Sequence, residues 1–154
     1  DQLEQRAFNL AKTYLIAHEG KRNYVYLDTE NVPTVGIGHK VLPSDNLKVG
    51  DYISDERVNK LFAKDINDAF NAAIKQAKQI DKYNVEMIAR LTEVNFQLGI
   101  YWTTKFPNTW ALIKTGSEKN IQKAIANLQQ SAWARQTPAR VLNFTSTLRQ
   151  QFLT

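Results

Sequence analysis

The hydrophobic period of this chain changes twice, and those changes constrain the fold more than any other feature. Residues 2–17 place Leu3, Ala7, Leu10, Ala11, Tyr14 and Leu15 at helical spacing. The pattern stops at Gly20. Tyr24-Val25-Tyr26-Leu27 and Val32 to Ile37 then read as two β-rich runs around the polar turn Asp28-Thr29-Glu30-Asn31. Asn31 can take the left-handed conformation of such a turn. Pro33 predicts an edge strand, because it cannot donate to a ladder. Gly36 and Gly38 allow another backbone or a ligand to come close. Residues 39–52 read as a loop.

Ser54 is the expected N-cap of the next helix. Val58, Leu61, Phe62, Ile66, Ala69, Phe70, Ala73, Ile74 and Ala77 keep helical spacing over about 25 residues, long enough to join two lobes. Residues 85–98 are apolar on several sides, which predicts a buried helix. Gly99 ends it. A short helix follows Pro107 and stops before Gly116. Ser117 caps the next, with Ile121, Ala124, Ile125 and Leu128 inward. Thr137-Pro138 supplies an N-cap with proline at the first helical position. The last helix is expected to bury Val141, Leu142, Phe144, Leu148 and Phe152. The fold class is therefore α+β and mostly α, with a small hairpin lobe, a long helix and a helical bundle flanking a cleft.

Composition narrows the function. The 154 residues suit one domain, and 43% hydrophobic residues allow a real core. Without cysteine, disulfides and thiolate metal sites are excluded, and two distant histidines disfavour a metal centre. No run reaches the roughly 18 apolar residues of a membrane helix, and DQLEQRAFNL is no signal peptide. Beginning at Asp1, the chain is expected to be processed or excised from a longer one. The net charge of +5 is uneven. Residues 1–80 hold 11 basic and 11 acidic side chains, residues 81–154 hold 9 and 4. A basic half suits an anionic partner such as nucleic acid, a membrane surface or cell wall. No nucleic-acid-binding signature accompanies it.

Glu19 ends the first helix and Asp28 opens the hairpin turn nine positions later. Two carboxylates in unlike surroundings suit glycoside hydrolysis. One donates a proton to the leaving oxygen, and the other stays ionised to activate water or stabilise the sugar cation. Taken alone, an Asp at a turn is usually a turn residue and a Glu at a helix end a solvated charge. Spacing by itself leaves both readings open.

The ordered set Glu19-Gly20, Tyr26, Asp28, Thr34, Gly36, Gly38 and His39 resembles the E-G, Y-x-D, T-x-G-x-G-H signature of the phage-type lysozymes, glycoside hydrolase family 24. NFQLG at 95–99, KFPNTW at 105–110 and SAWARQTPAR at 131–140 extend the likeness over nearly the whole chain. The resemblance implies a two-lobed lysozyme-like fold in a single domain. It implies a muramidase that cuts the β-1,4 bond between N-acetylmuramic acid and N-acetylglucosamine with inversion, without metal or cofactor. Carried over, Glu19 is the general acid, Asp28 the second carboxylate, and Thr34 the residue that positions water. His39 and Asp65 form a structural pair, and Arg140 pairs with the catalytic glutamate. Gln97 and Asn108 are candidate sugar contacts, while Trp133 and Phe106 belong to the core. Asn31 stands where the family usually has glycine, and residues 39–54 are shorter than in longer members.

The implied partner is peptidoglycan, met as a monomer in the bacterial wall or periplasm, with no nucleic acid and no membrane insertion. A fused targeting domain or an immunity protein would fit delivery as a phage endolysin, a tail-associated lysozyme or an antibacterial effector. Two alternatives remain at this point. One is a lytic transglycosylase using Glu19 alone, against which both Asp28 and Thr34 argue. The other is an inactive relative that only binds the wall.

Overall fold

A computed structural model describes residues 1–153. The chain forms two compact units, Lys12–Asp68 and Asp1–Ala11 with the chain from Ala69 onward. Two helices have residues in both: α1 (Gln2–His18) and the 25-residue α2 (Asp55–Gln79). The mostly α, α+β class read from the sequence is the class observed.

In the smaller unit, β1 (Arg22–Leu27), β2 (Pro33–Gly36) and β3 (His39–Lys40) make an antiparallel sheet in that order. Tyr26 faces Thr34 and Leu27 faces Pro33 across the first pair; Thr34 faces Lys40 and Val35 faces His39 across the second. Alternation along a strand then sorts the side chains. Val25 and Val35 enter a core with Ile53 and Val58, backed by Ile37, Val41, Leu47 and Leu61. Arg22 pairs with Gly36, so β1 spends four residues where β2 spends two. The surplus residues bond outward instead. Val25 N donates to Asp51 O at 2.8 Å, Gly50 N to Val25 O at 2.9 Å, and Ile53 N to Asn23 O at 2.7 Å. Residues 50–53 thus cover the open edge of β1, where unpaired backbone groups would otherwise invite another chain.

Two expectations need correction. Pro33 lies on the central strand, not an edge. It is tolerated because it is the first residue of β2, where its missing N–H breaks no ladder, and its carbonyl accepts from Val41 N at 2.9 Å. Residues 39–52 are not wholly loop. They hold β3 and a 3-10 turn at Pro43–Asp45. Asn31 does adopt the left-handed conformation, at φ 60°, and Ser54 Oγ caps α2 by accepting from Arg57 N at 3.1 Å.

The larger unit contains α3 (Val85–Leu98), α4 (Trp102–Lys105), α5 (Pro107–Thr115), α6 (Glu118–Gln129), α7 (Ala132–Gln136) and α8 (Pro138–Phe152). Asn84, Ser117 and Ser131 cap α3, α6 and α7 through their side chains. The core centres on Trp102, fully buried, with Trp110 and Phe144 edge-on at 5.4 and 5.7 Å between ring centroids. Helix α3 is buried as expected, and it carries polar groups inward. Gln76 and Asn95 exchange two amide hydrogen bonds of 3.0 Å, and Asn95 Nδ2 also donates to Ala69 O. Trp133 is buried and Phe106 packs against the same core.

Two further expectations fail here. Leu142 is 59% exposed, because the helical period that turns Val141, Phe144, Thr145 and Leu148 inward turns Leu142 out. Thr137 occupies the N-cap position of α8, but its hydroxyl donates back to Trp133 O at 3.2 Å rather than capping. Pro138 at the first helical position stands as expected.

Candidate active site

Glu19 follows α1, its N–H donating to Leu15 O at 2.8 Å. Its half-buried carboxyl lies against the backbone of the β2–β3 turn. A Cβ built on Gly38 would meet Glu19 Oε2 at 2.6 Å and Cδ at 2.8 Å, and Gly38 has φ +66°. Glycine is required there twice, for backbone conformation and for space. Gly38 is expected from the sequence to let another backbone or a ligand come close; the group that does so is the Glu19 side-chain carboxyl.

Asp28 organises the hairpin turn. Its Oδ1 accepts from Glu30 N at 2.8 Å and Val32 N at 2.9 Å, the side-chain-to-backbone pattern typical of Asx turns. Thr34, 5% exposed, donates its hydroxyl proton to Val32 O at 2.9 Å. With that proton committed, the oxygen offers only lone pairs to other groups. A water meeting Thr34 would donate to it and turn a lone pair elsewhere. Glu19, Asp28 and Thr34 all belong to the smaller unit.

His39 points to the core side with Val35 and is 5% exposed. Nδ1 lies 2.6 Å from Asp65 Oδ2 and Nε2 lies 2.7 Å from Asp45 Oδ2. Two carboxylates on both ring nitrogens require both to donate, which is the imidazolium form. The hydrogen bond to Asp65 raises the His39 pKa above 6.5; burial opposes this and the Asp45 bond adds to it. For Asp45, burial pushes the carboxyl up, but the bonds from His39 and Leu42 N outweigh it and hold the pKa below the usual value. Arg57 Nη2 also donates to Asp45 O at 2.8 Å. Asp45 was not among the residues singled out in the sequence. Nothing at a loop position six residues past His39 marks it as a partner.

The remaining candidates lie in the larger unit. Gln97 donates through Nε2 to Thr137 Oγ1 at 3.0 Å, and its Oε1 is buried. Asn108 is exposed in the first turn of α5, and Arg140 is buried in the first turn of α8. Among the described residues, no helix is long and apolar enough to cross a membrane.

The sequence profile of phage lysozyme matches residues 16–147. The chain belongs to the phage lysozyme family. It is 30% identical over 150 residues to a protein named peptidoglycan hydrolase gp36 of Pseudomonas phage phiKMV. That alignment covers 97% of this chain and 16% of the phage protein, so the chain spans about a sixth of that relative's length. It is also 30% identical over 151 residues to probable T4-type lysozyme 2 of Dictyostelium discoideum, and 27% to probable T4-type lysozyme 1. Each of these alignments covers 84% of this chain and 87% of the relative.

Proposed function

We propose that this chain is a peptidoglycan muramidase that hydrolyses the β-1,4 bond between N-acetylmuramic acid and N-acetylglucosamine. The observation that carries this reading is the linkage of Asp28 and Thr34 through the one residue Val32, on the hairpin whose next turn lies against Glu19. Glu19 protonates the leaving glycosidic oxygen. Asp28 faces the sugar as a carboxylate, with Oδ1 held by turn amides, and stabilises positive charge at the anomeric carbon. Thr34 accepts a hydrogen bond from the attacking water and directs its lone pair at that carbon. Attack from the face opposite the leaving group forms the new C–O bond as the glycosidic bond breaks, the surplus proton of the water passes to the Asp28 carboxylate, and the anomeric centre is inverted. No step calls for a metal or cofactor.

Gln97 and Asn108 stand as sugar contacts and Arg140 as a support residue. The enzyme acts as a monomer on the wall, and a fused targeting domain or an outside delivery route brings it there. Clearing of a suspension of purified peptidoglycan tests the reading. Glu19→Gln should lower the rate by about 10²–10⁴-fold, the usual contribution of a general acid. Clearing at the wild-type rate would remove Glu19 from the chemistry.

A further inference from the structure

The face of the small sheet opposite Val25 and Val35 carries, besides Thr34, side chains that the hydrolytic step leaves unused. Arg22, Tyr26, Thr34 and Lys40 share that face by strand register, opposite Val25 and Val35. Arg22 faces Gly36, which has no side chain to obstruct it, and its guanidinium lies 4.2 Å from the centre of the Tyr26 ring. Tyr24 and Tyr26 flank Val25, so both stand away from the core. Tyr24 bridges to Tyr52, the neighbour of the buried Ile53, and the two rings meet edge to face at 5.3 Å. They remain 62% and 61% exposed. An aromatic pair fixed by its backbones yet left to solvent requires an explanation that a lone exposed tyrosine does not.

We propose that Tyr24 and Tyr52, with Arg22 over Tyr26 on the same strand, form a distal saccharide platform that holds the N-acetylated glycan strand away from the bond being cut. The inference rests on the muramidase reading. Continuity carries it: Tyr26 is the cross-strand partner of Thr34, and Tyr24 lies two residues further along β1, about 7 Å away. Tyr52 lies one strand spacing beyond, about 5 Å. A linear polymer seated at Thr34 and Asp28 therefore passes the tyrosines within its next few sugars. The chemistry matches. The C–H face of a pyranose packs on an aromatic ring, the tyrosine hydroxyls meet its polar rim, and Arg22 and Lys40 complement the lactyl and peptide carboxylates of the wall. A protein occupant is disfavoured by size, since two rings fall far short of the roughly 800 Å² per partner of a stable protein interface.

The test uses the whole chain in a Glu19→Gln background, so that bound glycan is not consumed. Titration calorimetry follows peptide-free peptidoglycan strands of graded length. Tyr24→Ala with Tyr52→Ala should weaken binding of long strands by about tenfold or more, a loss expected for two stacking rings. It should leave the shortest binding strands nearly unaffected. Tyr24→Phe with Tyr52→Phe, which keeps both rings, should retain most of the affinity. Tyr101→Ala, removing a tyrosine that is 71% exposed in the larger unit, should change nothing. Equal affinity of the alanine pair and its parent for long strands would overturn the platform while leaving the muramidase intact. If the parent binds no strand and the wild type releases no muropeptide, the muramidase reading fails and the platform with it.

Discussion

Asp28 and Thr34 are joined through Val32, whose N–H donates to Asp28 Oδ1 and whose carbonyl accepts the Thr34 hydroxyl, each at 2.9 Å. One peptide segment thus fixes both the carboxylate and the hydroxyl assigned to the reaction. The turn role and the proposed catalytic role of Asp28 fall on different properties of the same side chain. Oδ1 as an acceptor holds the turn; the negative charge is what the proposed reaction uses.

Asp28→Asn and Asp28→Ala should therefore separate. Asparagine keeps an oxygen for the turn amides and loses the charge, so thermal stability should stay close to wild type while wall hydrolysis falls sharply. Alanine removes both and should also destabilise the fold by about 1–3 kcal/mol, the penalty for stranding turn amides. Melting curves and clearing rates measured together check this.

Gly38 and Gly50 form a second contrast. Both have positive φ, +66° and +94°, but only at Gly38 would a Cβ strike Glu19; around Gly50 nothing lies within 4 Å. Each alanine substitution should cost on the order of 1 kcal/mol of stability from the left-handed backbone. Only Gly38→Ala should also depress activity, by displacing the Glu19 carboxyl. Equal loss of activity in both would mean that the Gly38 contact does not govern Glu19.

The hairpin, α2, α3 and the class of the fold are legible in the sequence because periodicity and turn residues act over short range. Elements that lack a period are not. β3 has two residues and α4 four, too few to display alternation or a helical stripe. Pro33 was misread because strand order depends on what pairs beyond β2, which composition does not encode. Thr137 was misread because a hydroxyl can choose between the amides ahead of it and the carbonyl of Trp133 behind it. Within the site, Glu19, Asp28 and Thr34 are visible as a motif. The second anion on His39 is not, because Asp45 reaches it through the fold of a 3-10 turn.

That second anion makes stability depend on pH in a defined direction. His39 has a raised pKa, so its contribution is complete below 6.5 and is lost as pH rises through the folded value. Asp45 has a lowered pKa, so its contribution is present above 3.8 and is lost as pH falls through the folded value. The groups facing the imidazole are Asp45 and Asp65, with Arg57 bonded to the Asp45 carbonyl. The Tm gap between wild type and Asp45→Asn should be widest between those limits and shrink on both sides. A gap that is flat across the range would remove the charged His39 from the account.

In the larger unit, Trp102→Ala should cost about 3–5 kcal/mol, since it empties the centre of the core between Trp110 and Phe144. Denaturant titration would check the value.

The most direct test of the central claim is mass spectrometry of the muropeptides released from purified peptidoglycan by wild type and by Glu19→Gln. Wild type should release hydrated products ending in reducing N-acetylmuramic acid, and the variant almost none. Products lighter by one water would show an anhydro end and a transglycosylase in its place. Hydrated products in equal yield from both proteins would contradict the role given to Glu19.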